Sequence, residues 1–204
     1  MHIAIAGNIG SGKTTLTQLL ANHFNCNAEF ESVENNPYLS DFYTDMPKWA
    51  FHLELHFLNS RFRQTRRIQQ SNEWVVQDRS IDEGVHIFAK NLFDSKCLSK
   101  RDYNTYMTLY NFMLEQINSP DLLIYLKADI DKLVSQIKMR NRSFEQEIPV
   151  TYLENLNALY AEWINTVPKE RLMVIDIQST DFKENPNDFE NIVTKIDSFH
   201  SQRV

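Results

Sequence analysis

Glycine is scarce in this chain, with only four among 204 residues. Three of the four, Gly7, Gly10 and Gly12, lie within six consecutive positions. Glycine supplies backbone conformations that other residues avoid, so this clustering indicates one place where the main chain needs unusual freedom. That place is the most informative part of the sequence.

Cysteines, long apolar runs and an excess of basic residues are also lacking. Cys26 and Cys97 show no metal-ligand spacing and are expected to be reduced thiols in a cytoplasmic protein. No apolar run approaches the roughly 20 residues of a membrane span, and the first predicted strand begins at once, which leaves no room for a targeting peptide. The net charge of −6 argues against a nucleic-acid partner. We therefore expect a single domain over residues 1–204, with no nucleic-acid or membrane partner.

The glycine cluster belongs to a phosphate-binding motif. The run GNIGSGKT fits the pattern G-x-x-x-x-G-K-[ST]. It follows an apolar strand predicted over His2–Ala6 and precedes an amphipathic helix predicted over Thr15–Phe24. A loop in this setting binds a polyphosphate through backbone N–H groups at a helix N-terminus. The motif predicts that Lys13 neutralises the β- and γ-phosphates and that the Thr14 hydroxyl takes Mg²⁺. The expected ATP-binding residues of the loop are Gly7, Asn8, Ile9, Gly10, Ser11, Gly12, Lys13, Thr14 and Thr15.

Apolar runs alternate with helical patterns along the rest of the chain. Further strands are predicted over Ala28–Val33, Trp74–Gln77, Leu122–Leu126 and Leu172–Asp176. Helices are predicted over Lys48–Gln70, Ser99–Asn118, Ile130–Met139, Thr151–Asn165 and Asp188–Phe199. Continuous apolar strands separated by helices indicate an α/β fold with a parallel sheet covered on both faces.

Charged residues follow the second and third predicted strands. Ligands of such folds bind beyond the carboxyl ends of the strands, where Glu31, Asp78 and Arg79 are expected to converge with the phosphate loop. Glu31 could accept the proton of an attacking hydroxyl. Asp78 could hold Mg²⁺, or cap the helix that starts near Ser80, or do both. Arg79 could stabilise a transferring phosphoryl group, or form an ordinary surface ion pair.

Two further pairs of charges have the spacing of a binding site. Arg140 and Arg142 form a basic patch after a helix, in a stretch suited to a lid over a triphosphate; the alternative is a pair of cations at a helix C-terminus. Glu54 and Arg61 are seven residues apart on one face of a helix, with about 10 Å between their Cα atoms. They could grip opposite sides of a flat heterocycle, or they could be two charges on a solvated face.

Taken together, these residues resemble the deoxyribonucleoside kinase family, and most closely its bacterial purine-specific members. The resemblance spans nearly the whole chain. Glu31-Ser32-Val33 matches the family's E-x-V, Asp78-Arg79-Ser80 its D/E-R-S, and Arg140-Asn141-Arg142 the R-x-R of its lid, placed about residues 138–149. Trp49 to Glu54 followed by Arg61 matches the helix that reads the base.

The resemblance implies a fold, an activity and a set of roles. The fold is a P-loop α/β kinase with a five-stranded parallel sheet, and the activity is transfer of the γ-phosphoryl group of ATP, with Mg²⁺, to the 5′-hydroxyl of a purine deoxyribonucleoside in salvage. Catalysis is assigned to Glu31, Arg79 and Lys13, and the metal to Thr14 and Asp78. A homodimer through helices around Ile81 to Phe93 and Ser99 to Asn118 is also implied. Substrate contacts are assigned to Glu31, Tyr43, Phe51, Glu54, Arg61, Arg79, Gly84, Phe88 and Glu145, and further ATP contacts to Arg140, Arg142, Asp181 and Phe182.

The sequence departs from the family at residues that choose the base. Related enzymes often carry glutamine where Glu54 stands and aspartate where Gly84 stands, and Gln136 replaces an arginine near the lid of some members. An ionised Glu54 only accepts hydrogen bonds, which suits the N1–H and 2-amino donors of guanine. We therefore expect purine over pyrimidine, with a modest preference for deoxyguanosine over deoxyadenosine. Gly84 leaves space that water or another side chain could use to recognise adenine.

Two other functions share some of these motifs. A nucleoside monophosphate kinase of the thymidylate kinase type uses the same loop and lid, but its phosphate acceptor is already anionic and needs no base such as Glu31. A non-catalytic GTPase-like switch would show N-K-x-D and D-x-x-G, and this chain has neither. The sequence therefore favours the deoxynucleoside kinase.

Overall fold

A computed structural model of the chain describes residues 1–31, 36–71, 73–142 and 148–201. Its centre is a parallel sheet of five strands in the order β2-β3-β1-β4-β5. The strands are β1 His2–Gly7, β2 Asn27–Glu29, β3 Val75–Asp78, β4 Leu122–Lys127 and β5 Leu172–Asp176. This confirms the predicted α/β architecture. The carboxyl ends of β1 and β3 lie side by side, with Ile5 opposite Asp78.

The second strand is shorter than the sequence predicts. It ends at Glu29, whereas the pattern predicted a strand from Ala28 to Val33. The edge strand β2 pairs only with β3, and Glu29 lies opposite Gln77, one residue before β3 ends. Beyond that point the chain has almost no neighbour to pair with, so Phe30 and Glu31 leave the sheet. Ser32 and Val33 lie outside the described residues.

Eight helices connect and flank the strands in the described part of the chain. Four of them precede β4: α1 Lys13–His23, α2 Leu39–Thr44, α3 Met46–Gln70 and α4 Ile81–Asp94. Helix α4 is continuous but has three parts, which are α-helical Ile81–Glu83, π-helical Gly84–Ala89 and α-helical Lys90–Asp94. The others are α5 Lys100–Leu114, α6 Ile130–Arg140, α7 Val150–Ile164 and α8 Pro186–Ser201, with a short 3₁₀ helix at Lys169–Arg171. The long helices agree with the sequence to within a few residues. The pattern gave no sign of α2, which has only six residues.

The core lies on both faces of the sheet, as continuous apolar strands predict. Alternate residues of β1 point to opposite faces. Ile3 and Ile5 pack in one cluster with side chains of α1 and α8, and Ala4 and Ala6 pack in another with side chains of α7. Among the described residues, no helix is long and apolar enough to cross a bilayer. Both cysteines are free thiols.

The long helix α3 buries charge as well as apolar side chains. Asp45 caps its start by accepting a hydrogen bond from the Lys48 N–H. The buried residues of α3 include the apolar Leu53 and Leu58 and also the charged Glu54 and Arg61. Charged groups are seldom buried without partners, so this face of α3 indicates a site.

Candidate active site

The glycine-rich segment joins β1 to α1. Gly12, the residue before the first turn of α1, has φ +89°, a left-handed conformation that residues with a β-carbon rarely adopt. A β-carbon at Gly12 would also lie 3.2 Å from Phe182 Cζ. Thr14 and Thr15 follow in the first turn of α1. The loop therefore places its N–H groups at a helix N-terminus, the arrangement that attracts a polyphosphate.

Lys13 lies against its own loop. Its Nζ donates to the carbonyl oxygens of Gly7 and Asn8, each over 2.8 Å. Burial, together with the positive charge of Arg79, lowers the pKa of Lys13 to about 7. A polyphosphate would bring negative charge to this place and could replace the two carbonyl oxygens as acceptors.

Asn8 ties the phosphate loop to helix α7. Its Nδ2 donates to the carbonyl oxygen of Leu153 over 2.9 Å and to Asn157 Oδ1 over 2.6 Å. Its Oδ1 accepts from the N–H of the next residue, Ile9. The loop is thus held by a helix more than 140 residues away in sequence.

Thr14 and Asp78 form a pair suited to Mg²⁺. The Thr14 hydroxyl donates to Asp78 Oδ2 over 2.6 Å, and Asp78 Oδ1 is buried with no hydrogen-bond partner among the described residues. Hydroxyl and carboxylate oxygens are ligands that Mg²⁺ prefers. The described residues hold no group of three His, Cys, Asp or Glu side chains fit for a metal, so phosphate oxygens and water would complete the coordination. Ser80, not Asp78, caps α4 by accepting from the Glu83 N–H.

Glu31 lies between two arginines. Arg61 Nη2 contacts its Oε1, and Arg79 Nε donates to its Oε2 over 2.8 Å. Burial alone would raise the pKa of Glu31, but the two guanidinium groups more than offset this effect and lower it below the ordinary value. Glu31 is therefore ionised at neutral pH and can accept a proton.

Arg79 occupies an unusual backbone conformation. Its φ of +72° is rare for a residue with a β-carbon and turns the chain sharply after β3. The guanidinium then reaches Glu31 and also Glu83 Oε1, the latter over 2.9 Å, and lies 4.7 Å from the ring centroid of Phe88. Only 7% of Arg79 is exposed, so the alternative of a surface ion pair is excluded.

Glu54 and Arg61 face the same space from α3. They are 3% and 4% exposed, which excludes the solvated helix face. The Arg61 guanidinium lies 4.9 Å from the ring centroid of Phe57. A β-carbon on Gly84 would come within 2.3 Å of Arg61 Nη1. The space above Gly84, which the sequence left open for water or another side chain, is therefore taken by Arg61.

These groups line one cavity of about 380 Å³. Its phosphate end holds Ile9, Gly10, Lys13, Thr14 and Asp78, and its other end holds Glu54 and Arg61, with Glu31 and Arg79 also in the lining. Tyr43 and Phe88 line it too, whereas Phe51 packs in the neighbouring apolar clusters and Gly84 acts from behind Arg61. A loop for a polyphosphate and a buried polar pocket thus open into the same space.

Comparison with known proteins agrees with this geometry. The family model described as deoxynucleoside kinase matches residues 3–201. The chain belongs to the deoxynucleoside kinase family. It is 37% identical over 198 residues to a deoxyadenosine/deoxycytidine kinase of Bacillus subtilis, and this alignment covers 96% of the present chain and 91% of the Bacillus kinase. It is 33% identical over 198 residues to a deoxyguanosine kinase of the same organism, and that alignment covers 95% of each chain. A solved structure of the deoxyadenosine kinase of M. mycoides with dCMP and dCDP bound superposes with a TM-score of 0.87 at 32% identity, covering 97% of this chain and 100% of that one.

The protein is thus an ATP-dependent deoxynucleoside kinase, a phosphotransferase. Membership of this family separates it from the monophosphate kinase, which has a similar loop and lid, and from the nucleotide-binding switch, which has a similar loop. The two Bacillus relatives carry different bases in their names at similar identity. Overall similarity therefore identifies the reaction but does not choose the base.

The two arginines that the sequence assigned to a lid, Arg140 and Arg142, lie at the end of α6 and just after it. Arg140 is in the last turn of that helix, and Asn141 ends it with φ +53°, a left-handed conformation that reverses the chain. Arg140 and Arg142, on either side of this turn, both line the cavity. Residues 143–147, including the predicted substrate residue Glu145, lie outside the described residues.

The predicted adenine-side residues lie next to the phosphate loop. Asp181 is exposed, and its side chain accepts from the N–H groups of Lys183 and Glu184 in a turn. Phe182 is 8% exposed and packs in the core cluster beside Gly12. The turn therefore fixes an aromatic ring against the loop.

Other residues of the kinase site had no recognisable signal in the sequence. Glu83 is fully buried and accepts hydrogen bonds from the Gly7 N–H, Arg79 and the Tyr160 hydroxyl. The Tyr160 hydroxyl oxygen also lies 2.8 Å from the Gly7 carbonyl oxygen. In sequence, Glu83 was simply an acidic residue near a helix start, and Tyr160 one of several aromatic residues on a helix. Glu83 and Tyr160 support the loop from outside the cavity, whereas the cavity lining itself includes further residues that the sequence did not predict: Phe30, Leu39, Phe42, Leu53, Phe57 and Tyr152.

Proposed function

We propose that this kinase transfers the γ-phosphoryl group of ATP to the 5′-hydroxyl of a purine deoxyribonucleoside, in nucleotide salvage. The observation that carries the proposal is the position of Glu31, an ionised carboxylate between the phosphate loop and the Glu54–Arg61 end of one cavity. A hydroxyl acceptor needs a base, whereas a phosphate acceptor does not.

Glu31 accepts the 5′-hydroxyl proton as attack on the γ-phosphorus begins. A carboxylate has about four lone-pair sites on its two oxygens, so it can take this proton while Arg61 and Arg79 remain hydrogen-bonded to it. The arginines hold the carboxylate in place and keep it ionised. The two arginines also make Glu31 a weaker base, because they lower its pKa. The rate of proton transfer from the 5′-hydroxyl therefore depends mainly on how well Glu31 is positioned.

The phosphate end stabilises the transferring group by charge. Lys13 and Arg79 supply cations around the phosphoryl oxygens, and Arg140 and Arg142 add two more from the lid. Thr14 and Asp78 would hold Mg²⁺, which neutralises charge on the β- and γ-phosphates when it is bound. Closure of the 138–149 lid would exclude water from the phosphoryl group.

The sequence-based preference for guanine over adenine assumed that Glu54 is ionised, and the structure does not support that assumption. Burial instead raises the pKa of Glu54 to about 8, so the neutral acid predominates at pH 7. A neutral acid presents one donor beside one acceptor, which fits the N1 and 6-amino groups of adenine. We therefore propose deoxyadenosine as the preferred substrate at neutral pH.

A panel of the four deoxyribonucleosides and their monophosphates tests this proposal. We expect deoxyadenosine to give the highest kcat/KM at pH 7, and we expect the monophosphates to give no transfer. Thymidine as the best substrate would overturn the base assignment, because thymine offers a single donor between two carbonyl groups. Faster use of a monophosphate than of any nucleoside would overturn the role of Glu31.

We also propose that the kinase is a homodimer through α4 and α5. On α5, Phe112 is 63% exposed, and Leu109, Met113 and Ile117 near it are only partly covered. Exposed apolar side chains along one helix face favour contact with a second protein surface. Light scattering coupled to size exclusion should give twice the chain mass of 24.1 kDa, and Phe112→Glu should shift it towards the monomer.

A further inference from the structure

Glu54 presents an incompletely satisfied carboxyl group to the cavity. The residue is 3% exposed and lines the cavity, and its Oε2 has no hydrogen-bond partner among the described residues. Arg61 is the cation on the same helix face, but it directs Nη2 to Glu31 instead. A buried polar atom without a partner carries a large free-energy cost, so a ligand that supplies one will be selected by it.

The charges around Glu54 are already balanced. Arg61 and Arg79 are paired with Glu31, and Arg79 is also paired with Glu83. An ionised Glu54 would add one more negative charge to a buried cluster of two cations and two anions. Burial is the largest cause of its raised pKa, and the charge of Glu31 raises it further. The titratable and charged groups that act on it or face it are Arg61, Glu31, Arg79, Tyr106 and Tyr152.

The two forms of Glu54 offer opposite patterns to a base. The neutral acid offers one O–H donor beside one carbonyl acceptor. Adenine at N1 and its 6-amino group, and cytosine at N3 and its 4-amino group, offer the matching acceptor and donor. The carboxylate offers two acceptors, which match the N1–H and 2-amino donors of guanine. In each mismatched pairing, two like groups would face one another in a buried site.

We propose that Glu54 selects the base by its protonation state, the neutral acid taking adenine and cytosine and the carboxylate taking guanine. The proposal rests on the proposed function for the class of substrate. The glycine at position 84 contributes, because it lets Arg61 lie over α4 and towards Glu31 instead of pairing with Glu54. Hydrogen-bonding sites reject a mismatched group by factors of up to about 10⁴–10⁵, so the selection can be large.

The test is competition between two nucleosides in one tube. Deoxyguanosine and deoxyadenosine are mixed with limiting kinase and ATP, and the ratio of monophosphate products gives the ratio of kcat/KM directly. Effects of pH on Glu31, on Lys13 and on ATP act on both substrates and cancel in this ratio. Measurements run from about pH 6 to about pH 8.5, a range that brackets the raised pKa of Glu54, about 8, and stays below the pH at which guanine N1–H ionises.

For the wild-type kinase, we expect the deoxyguanosine to deoxyadenosine ratio to rise with pH, by up to about tenfold per unit, because the ratio of carboxylate to acid changes tenfold per unit. Deoxycytidine in place of deoxyadenosine should give the same slope. Glu54→Gln keeps the shape and resembles the neutral acid, so its ratio should be low and independent of pH. Glu190→Gln, an exposed change on α8, should follow the wild type.

A flat ratio for the wild type, or a sloping ratio for Glu54→Gln, would overturn the proposal. If Glu54→Gln does not fold, the wild-type profile still decides, because its slope needs no variant. The proposed purine preference and the proposed role of Glu54 can fail independently. A pyrimidine that is the best substrate at every pH would contradict the purine preference even if the product ratio changes with pH. A product ratio independent of pH would contradict the role of Glu54 even if purines are the best substrates.

Discussion

The two ends of the cavity hold buried ionisable groups that are pushed towards neutrality from opposite directions. At the phosphate end, burial lowers the pKa of Lys13 to about 7. At the base end, burial raises the pKa of Glu54 to about 8. A triphosphate carries a fixed negative charge, which favours charged Lys13. The nucleobases are uncharged and differ from one another in the positions of their hydrogen-bond donors and acceptors. The end of the cavity that holds Glu54 must therefore recognise a pattern of hydrogen bonds, whereas the phosphate end recognises charge.

Glu31 stands between the two ends, and changing it should have the largest effect. Glu31→Gln keeps the shape and removes the proton acceptor. General-base catalysis is worth about 10²–10⁴ in rate, so we expect kcat to fall by that factor. The KM for ATP should change little, and the exposed change Glu73→Gln should leave turnover intact. A kcat for Glu31→Gln within about threefold of the wild type would remove Glu31 from the chemistry.

At the phosphate end, Asp78→Asn should lower kcat by roughly 10²–10³, the range typical of a lost preorganised electrostatic group. The Mg²⁺ concentration needed for half-maximal activity should rise, because Asp78 Oδ1 and Oδ2 would no longer carry charge. Asp82→Asn is the matched control, since Asp82 accepts from the Tyr110 hydroxyl outside the cavity. An unchanged Mg²⁺ dependence for Asp78→Asn would make Asp78 a structural acid.

At the base end, Gly84→Ala should separate stability from binding. The new β-carbon would lie 2.3 Å from Arg61 Nη1, so the guanidinium must move. We expect the KM for the nucleoside to rise about tenfold, equivalent to about 1.4 kcal/mol, and the KM for ATP to stay constant. The melting temperature should not fall, because alanine favours a helix more than glycine does. A fall in melting temperature with unchanged nucleoside KM would show that Arg61 does not need this space.

The smallest effect concerns stability. The folded protein holds the Glu54 proton up to about pH 8, whereas the unfolded chain releases it near pH 4.5. The folded state therefore binds one more proton between these values, and this contribution, complete below about pH 4.5, is lost as pH rises to about 8. Glutamine does not titrate. The melting temperature of Glu54→Gln relative to wild type should rise by a few degrees from pH 6 to pH 8.5, and a difference independent of pH would contradict the raised pKa.

The sequence predicted the phosphate end better than the base end for a physical reason. The loop from Gly7 to Thr15 is contiguous, and its binding groups are mostly its own backbone. The strands and long helices could also be predicted, because each carries its own apolar period. Among the elements that the structure describes, the short α2 and the early end of β2 were not predicted, because six residues hold little pattern and the length of an edge strand depends on its neighbour.

The base end depends on pairings that no local pattern encodes. Glu31 was predicted to accept a proton, but its ion pairs with Arg61 and Arg79 were not predicted, because these residues lie 30 and 48 positions away in sequence. Gly84 was interpreted as open space because its effect on Arg61 acts between helices. The protonation of Glu54 depends on burial and on the sum of surrounding charges, which only the folded structure supplies.

Asn8 has a consequence for how the two ligands affect each other's affinity. Its side chain hydrogen-bonds to the carbonyl oxygen of Leu153, and the residue before Leu153, Tyr152, lines the cavity in which we propose that the nucleoside binds. One turn of α7 therefore contacts both the phosphate loop and this cavity. Where ATP shifts this turn and changes the affinity for nucleoside by some factor, thermodynamic linkage requires nucleoside to change the affinity for ATP by the same factor. Either substrate can then prepare the kinase for the other.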